Sequence, residues 1–350
     1  MHPFRNLLLV ALGRESSLQK VPTQGDWQMM YRMAHVQALL GVCFEGIQRL
    51  PEEQLPPLDI LDRWARMADK VASIHRLHEQ RVEELEGILE GLGLHACLLK
   101  GTSLSALYPD PERRMSGDID IWVEGTHESI LKALKPACPV REILYQECKA
   151  DFFADVPVEV HFHASKMYNP VLNARLQRWF SANSPIRSDR ALTLPDLRFH
   201  AIQCMAHMFH HYLEGGLGLR QMMDYYYVLR ALDPAEREPV LAELRHLGMG
   251  RFTAAMMESL RFNFCMEREY LLCDPDPVRG RKLTEDAIRN GNFGVLDVRN
   301  RAGAGETRWA RFLRKNSRVL SNLRFYPREV VWAPYARVRH YLWRWLHGYL

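Results

Sequence analysis

No run of about 18 apolar residues occurs anywhere in this chain, so no segment reads as a transmembrane helix. No Cys-x-x-Cys occurs either. The seven cysteines, at 43, 97, 138, 148, 204, 265 and 273, are scattered and odd in number. That spacing argues against a disulfide framework and reads as reduced core thiols in a cytoplasmic protein. No Gly-x-Gly-x-x-Gly follows a strand; Gly91-x-Gly93 is too thin for a dinucleotide loop. Residues 4–13 are mildly apolar but too short and interrupted for a secretory signal. Internal repeats and low-complexity tracts are missing too.

The net charge of +4 is small, but it is unevenly spread. Residues 301–350 hold eleven Lys/Arg against two Asp/Glu, or +9, which leaves 35 against 40, or −5, for the first 300. The tail is therefore a separate electrostatic object. A chain of 350 residues is long enough for two or three packed units. Four regions follow from the pattern: helical 1–92, a small mixed-sheet core at 93–165, helical 166–297, and a basic aromatic tail at 298–350. The fold class expected is α+β.

Helix-like spacing covers Trp27 to Arg49 and Leu58 to Leu92, with Pro51, Pro56 and Pro57 between them. Between 93 and 165 the order reads β-α-β-α-β-β, with helices on one side of the sheet. Ala96 to Leu99 is a short apolar run that stops at Lys100-Gly101-Thr102-Ser103. Gly117-Asp118-Ile119-Asp120-Ile121-Trp122-Val123 alternates polar with apolar, the mark of a strand with one buried face. Asp118 and Asp120 then share a face, roughly 6.5 Å apart along the strand. Two carboxylates so close repel unless a cation lies between them, and an oxygen-rich site suits Mg²⁺ or Mn²⁺. A solvated strand end would show the same two residues. A third carboxylate comes from Val156-Pro157-Val158-Glu159-Val160-His161-Phe162-His163, where Glu159, His161 and His163 alternate against Val158, Val160 and Phe162. With Glu147 to Ala154 it forms a hairpin that brings Glu159 beside the Asp pair. His163 is expected to be solvated.

Lys100-Gly101-Thr102-Ser103, Arg114-Met115-Ser116-Gly117-Asp118-Ile119-Asp120 and Glu159-Val160-His161 together resemble an uncharacterised bacterial branch of the nucleotidyltransferases, which share the catalytic fold of DNA polymerase beta. Leu219 to Asp224 and Gly291-Asn292-Phe293-Gly294 add to the likeness, which spans roughly 90–295. The turn departs from the usual Gly-Ser or Gly-Gly, leaving the phosphate-contacting hydroxyl open between Thr102 and Ser103. The resemblance implies transfer of a nucleoside monophosphate from an NTP to a hydroxyl acceptor, with release of pyrophosphate. In that chemistry Asp118, Asp120 and Glu159 hold two metal ions, and Glu159 completes one ion site or acts as base. Gly101, Thr102 and Ser103 face phosphate oxygens, with Lys100 and Arg114 as neutralising cations. Lys100 could instead snorkel from a strand end, and Arg114 could serve a structural salt bridge. His161 would orient Glu159 or touch the acceptor, and the resemblance places Arg220 near the cleft without a defined role.

Other readings remain. The same fold could bind nucleotide without catalysis. His207, His211 and Asp224 could hold zinc, but Met208 stands where a zincin needs Glu, and core or substrate-lining histidines fit better. Arg220 and Asp224, four apart, could be a plain surface ion pair. Residues 286–307 read as a mobile loop. The tail, with a basic amphipathic helix around Arg337 to Leu346, could lie on an anionic membrane, contact nucleic acid, or pack on the body with its arginines in solvent.

Overall fold

The computed structural model describes residues 3–300 and 305–349. The helices are α1 (Pro3–Ala11), α2 (Gln24–Val36), α3 (Leu40–Gln48), α4 (Leu58–Gly91), α5 (Thr102–Ser105), α6 (His127–Leu134), α7 (Pro170–Ala182) and α8 (Leu197–Glu214), followed by α9 (Leu219–Ala231), α10 (Arg237–His246), α11 (Gly250–Phe264), α12 (Pro277–Asn290), α13 (Arg308–Leu320), α14 (Pro327–Val330) and α15 (Ala333–Leu346). The strands are β1 (Ala96–Leu98), β2 (Ile119–Val123), β3 (Val140–Arg141), β4 (Glu147–Ala150), β5 (Val158–His161) and β6 (Leu192–Thr193).

Local chemistry accounts for most boundaries. Thr23 and Asp26 form a reciprocal capping box that starts α2. Asn169 and Asp196 accept the free amides at the starts of α7 and α8. The proline pair at 56 and 57 ends the preceding segment, and α4 begins at Leu58. Its buried residues, from Ile60, Trp64, Ala68 and Val71 to Leu85 and Leu89, recur on one stripe along 34 residues.

The six strands form one mixed sheet in the order β3-β4-β5-β2-β1-β6. β1 runs antiparallel to β2 and parallel to β6; β2 and β5 are parallel; β4 is antiparallel to both β3 and β5. The two-residue strands β3 and β6 widen the sheet beyond the four strands that alternation reveals. The β4–β5 hairpin forms as expected, but pairing stops at Ala150↔Val158, so its connection is wider than a turn at Asp155.

Helices cover both faces of this sheet, not one. Ile119, Ile121, Val158 and Val160 pack beneath Leu85 and Leu89 of α4 and Ile130, Leu131 and Leu134 of α6. On the opposite face Trp122 lies 6.0 Å from Phe180 of α7 and 6.1 Å from Phe199 of α8, ring centre to ring centre. Strand alternation dictates this second face: the residues flanking each inward valine or isoleucine must point the other way. The larger core joins α1–α4 to α8–α12 and reaches Val319, Val330 and Ala333 of the tail. Five cysteines are buried thiols, Cys273 is half-buried and Cys265 is exposed; all seven are free. The segment read as a loop from 286 is helical as far as Asn290 and then makes short turns at Asn292–Gly294 and Val298–Asn300; residues 301–304 lie outside the described residues.

Candidate active site

The parallel register of β2 and β5 sets Asp120 directly opposite Glu159, and Trp122 opposite His161. Neighbouring strands lie about 4.8 Å apart, so these side chains emerge side by side on the α7/α8 face. His161 Nε2 is 2.8 Å from Asp120 Oδ1 and 4.0 Å from Glu159 Oε2. Asp120, Glu159 and His161 each present a ligand atom within 4.8 Å of the others, and no other such trio of acidic, histidine or cysteine ligands occurs among the described residues.

Asp118 stands one residue before β2. It is not one of this close trio, but the charge of Asp120 is the largest influence on it and raises its pKa, with burial second. Burial works to raise Asp120 too. There Lys100 and His161 outweigh it and hold the carboxyl below its ordinary range. The Lys100 ammonium and the His161 ring both converge on Asp120 Oδ1. Glu159 lacks such a partner, and burial, then the charges of Asp120, Asp118 and Glu147, push it up to about 7.

Lys100 reaches Asp120 because the chain turns sharply at Gly101, whose φ of 76° and ψ of −116° suit glycine alone. A Cβ there would also approach the Asp118 carbonyl oxygen at 3.4 Å. After this turn Ser103 donates its hydroxyl proton to the Leu99 carbonyl. The Thr102 hydroxyl is buried without a hydrogen-bond partner. Of these four residues, Lys100 and Gly101 line the cleft.

Arg114 sits elsewhere in the electrostatic scheme. It is buried and bonds both oxygens of Asp224, Nε to Oδ1 at 2.7 Å and Nη2 to Oδ2 at 2.9 Å; the Tyr108 hydroxyl donates to the same Oδ1 at 2.7 Å. The surface pair of Arg220 with Asp224 therefore does not form. Asp224 is buried on the inner face of α9 and belongs to Arg114. Arg220 Nη1 instead donates to the Met115 carbonyl at 3.0 Å, while its Nε is buried without a partner. Burial, then the neighbouring Arg114 charge, lowers its pKa. The loop carrying Asp118 is thus tied to α9 at two points.

These groups line a cavity of about 1040 Å³. Its other walls hold Glu147, which sequence reasoning left without a role, and three histidines of α8. Glu147, opposite His161 across β4 and β5, places Oε2 3.5 Å from His161 Nδ1. The alternation of Glu147 and Lys149 against Cys148 and Ala150 was the available signal. His207, His210 and His211 also line the cavity. Burial lowers all three pKa values, His211 to about 4, so they face the cavity as neutral rings. A zinc site of His207, His211 and Asp224 is not assembled: Asp224 is committed to Arg114 and Tyr108. His163 is half-buried among the rings of His127 and Tyr145 rather than solvated, and burial depresses its pKa to about 4.

Phe293 arrives through glycine packing. A Cβ on Gly294, at φ 65°, would lie 2.0 Å from the Gly215 carbonyl oxygen, so the 291–294 turn nests against the 215–218 turn only without side chains. This sets the Phe293 ring 5.0 Å from His211 and 5.8 Å from the Arg220 guanidinium. Across the opening lie α13 and α15. The tail packs on the body with Arg308, Arg311 and Arg339 exposed and Arg337 and Arg344 half-buried, and all five border the cavity.

Residues 23–261, about two thirds of the chain, match the model of a family described as uncharacterised nucleotidyltransferase. No curated protein and no solved structure matches the chain. No helix among the described residues is long and apolar enough to cross a membrane.

Proposed function

From the premise that this chain belongs to the uncharacterised nucleotidyltransferase family, we propose that it transfers a nucleoside monophosphate from an NTP to a hydroxyl acceptor and releases pyrophosphate, on a polymerase beta-like core. The observation that carries this reading is the convergence of Asp120, Glu159 and His161 in one cavity, with Asp118 alongside. Hard oxygen donors with one imidazole fit Mg²⁺ or Mn²⁺. Asp118, Asp120 and Glu159 would hold the metal, and His161 is placed to join them or to orient Asp120. When bound, the metal supplies charge neutralisation at the attacking and leaving oxygens.

The chain's own groups do the rest. The acceptor hydroxyl oxygen bonds to the α-phosphorus, the bond from that phosphorus to the bridging oxygen breaks, and pyrophosphate leaves with the electron pair. The hydroxyl proton passes to Glu159 or to water. Lys100 and Arg220 face the triphosphate, and Gly101 lets phosphate oxygens approach the backbone. Neither Thr102 nor Ser103 lines the cleft: the Thr102 hydroxyl is buried and Ser103 bonds the Leu99 carbonyl. Arg114 acts through the loop it anchors. Placement in the cytoplasm rests on seven unpaired thiols and on the NTP requirement.

The test is thermal stabilisation by each of the four NTPs with Mg²⁺ or Mn²⁺, run beside pyrophosphate release. Wild type should be stabilised and Asp118→Asn/Asp120→Asn should not. Equal shifts in both proteins would remove the metal assignment. A shift without turnover against any acceptor would favour the silent nucleotide-binding alternative.

The tail carries a second reading for partners. Trp309, Leu313, Leu342, Trp345 and Leu346 are exposed on α13 and α15, a composition that suits an anionic lipid surface. Co-sedimentation with anionic vesicles, and salt-sensitive retention on RNA or DNA, separate the membrane from the nucleic-acid partner; neither result would leave the tail as a wall of the cleft alone.

A further inference from the structure

Ligand pockets of about 300–1,000 Å³ hold one drug-sized molecule. This cavity, at about 1040 Å³, lies at the top of that range, and its two sides differ in charge. The floor carries Asp118, Asp120, Glu147 and Glu159 against Lys100 and Arg220. The roof, built from α13 and α15, carries Arg308, Arg311, Lys315, Arg337, Arg339 and Arg344.

Three of these six side chains reach a carboxylate, with two carboxylates between them. Arg337 and Lys315 share Glu214, at 3.0 and 3.5 Å, and Arg311 lies 3.4 Å from Glu306. The other three have no carboxylate partner among the described residues. Arg308 meets the Tyr341 hydroxyl at 3.5 Å; Arg339 lies over the Tyr145 ring at 5.1 Å; Arg344 donates to the Tyr349 carbonyl and keeps a buried Nε with no partner. Three guanidinium groups without a carboxylate border one opening, and the planar fork of each matches a phosphate. The donor triphosphate already has Lys100, Arg220 and the metal carboxylates at the floor.

We propose that the acceptor is itself phosphorylated, and that Arg308, Arg339 and Arg344 hold its phosphate while its hydroxyl points to the floor. This rests on the nucleotidyltransferase reading and adds the chemical class of the second substrate. Tyr145 and Trp343, 5.5 Å apart beside Arg339, form the aromatic wall between the two ends.

The full-length protein is first saturated with Mg²⁺ and the α,β-methylene analogue of its best-stabilising NTP. It is then titrated with glycerol 3-phosphate, with glycerol, and with short-chain phosphatidic acid below its micellar concentration. Glycerol 3-phosphate should add a second thermal shift that glycerol does not. Arg339→Gln/Arg344→Gln should weaken that second binding at least about tenfold, the loss of one good charge-assisted contact, with the analogue shift unchanged. Tighter binding of phosphatidic acid than of glycerol 3-phosphate would assign the phosphate to a lipid headgroup; the reverse would assign it to a soluble phosphomonoester. No second shift in wild type, or a second shift indifferent to the double substitution, overturns the proposal. So does loss of the analogue shift in the double variant, because the roof would then hold the donor. If the analogue fails to stabilise wild type at all, the nucleotidyltransferase reading falls, and this proposal with it.

Discussion

Arg114 and Arg220 show how much a residue's surroundings decide its work. Both are arginines bordering one cleft, but only Arg114 is bound to a carboxylate. Arg114 is locked to both oxygens of Asp224 in a buried pair. Removing one partner of such a pair strands the other charge away from water and costs about 3–5 kcal/mol. Arg114→Leu should therefore lower stability to denaturant by that amount, whether or not nucleotide is present. Arg220→Gln should leave the denaturation midpoint within about 1 kcal/mol of wild type, as one lost hydrogen bond implies, and should weaken the NTP-induced thermal shift. If the two variants trade places in these assays, the assignment of one arginine to structure and the other to triphosphate is wrong.

Among the elements, α14 is tied to the start of α7 through one buried carboxyl. Glu329 of α14 is buried and accepts the backbone amides of Tyr168 and Asn169, and the Asn169 side chain returns a bond to the Arg328 carbonyl at 2.8 Å. Burial pushes the Glu329 pKa up to about 7, while the two amide bonds pull the other way. The folded protein then keeps a proton that the unfolded chain releases above about 4.5, its ordinary value. Stability from this group falls as pH rises from about 4.5 to about 7 and then levels off. Glu329→Gln cannot ionise. Wild type should lose melting temperature relative to that variant on going from about pH 5 to about pH 8, as this linkage requires. A pH-independent difference between the two would mean that the carboxyl is ionised in the fold throughout. The same contact explains why the roof of the cleft sits where it does: α14 pins the tail to the start of α7, and α13 and α15 follow.

At the scale of the whole molecule, one side chain bridges distant parts of the chain. Gln37, fully buried after α2, donates to the Ala287 carbonyl and accepts from the Leu219 amide, both at 2.8 Å. Gln37→Ala would leave the Leu219 amide buried and unpaired, at about 1–3 kcal/mol, while the Ala287 carbonyl keeps its bond from the Gly291 amide. The variant should unfold at lower denaturant, with fluorescence and circular dichroism transitions still coincident. Separate transitions in wild type would show that the first helices and the α8–α12 region do not fold together. The sequence alone determined the alternation of β2 and β5, the sharp turn at Gly101, the helical flanks and the separate charge of the tail, because each is a periodicity, a backbone requirement or a count along the chain. It determined the family likeness too. Tertiary structure alone decided the register that sets Asp120 opposite Glu159, that Asp224 belongs to Arg114, that helices cover both sheet faces, and that the basic tail closes over the carboxylates. Those outcomes come from strand register and from packing between residues a hundred or more positions apart, and the energy of a buried charge depends on what lies across the gap, which no local pattern records.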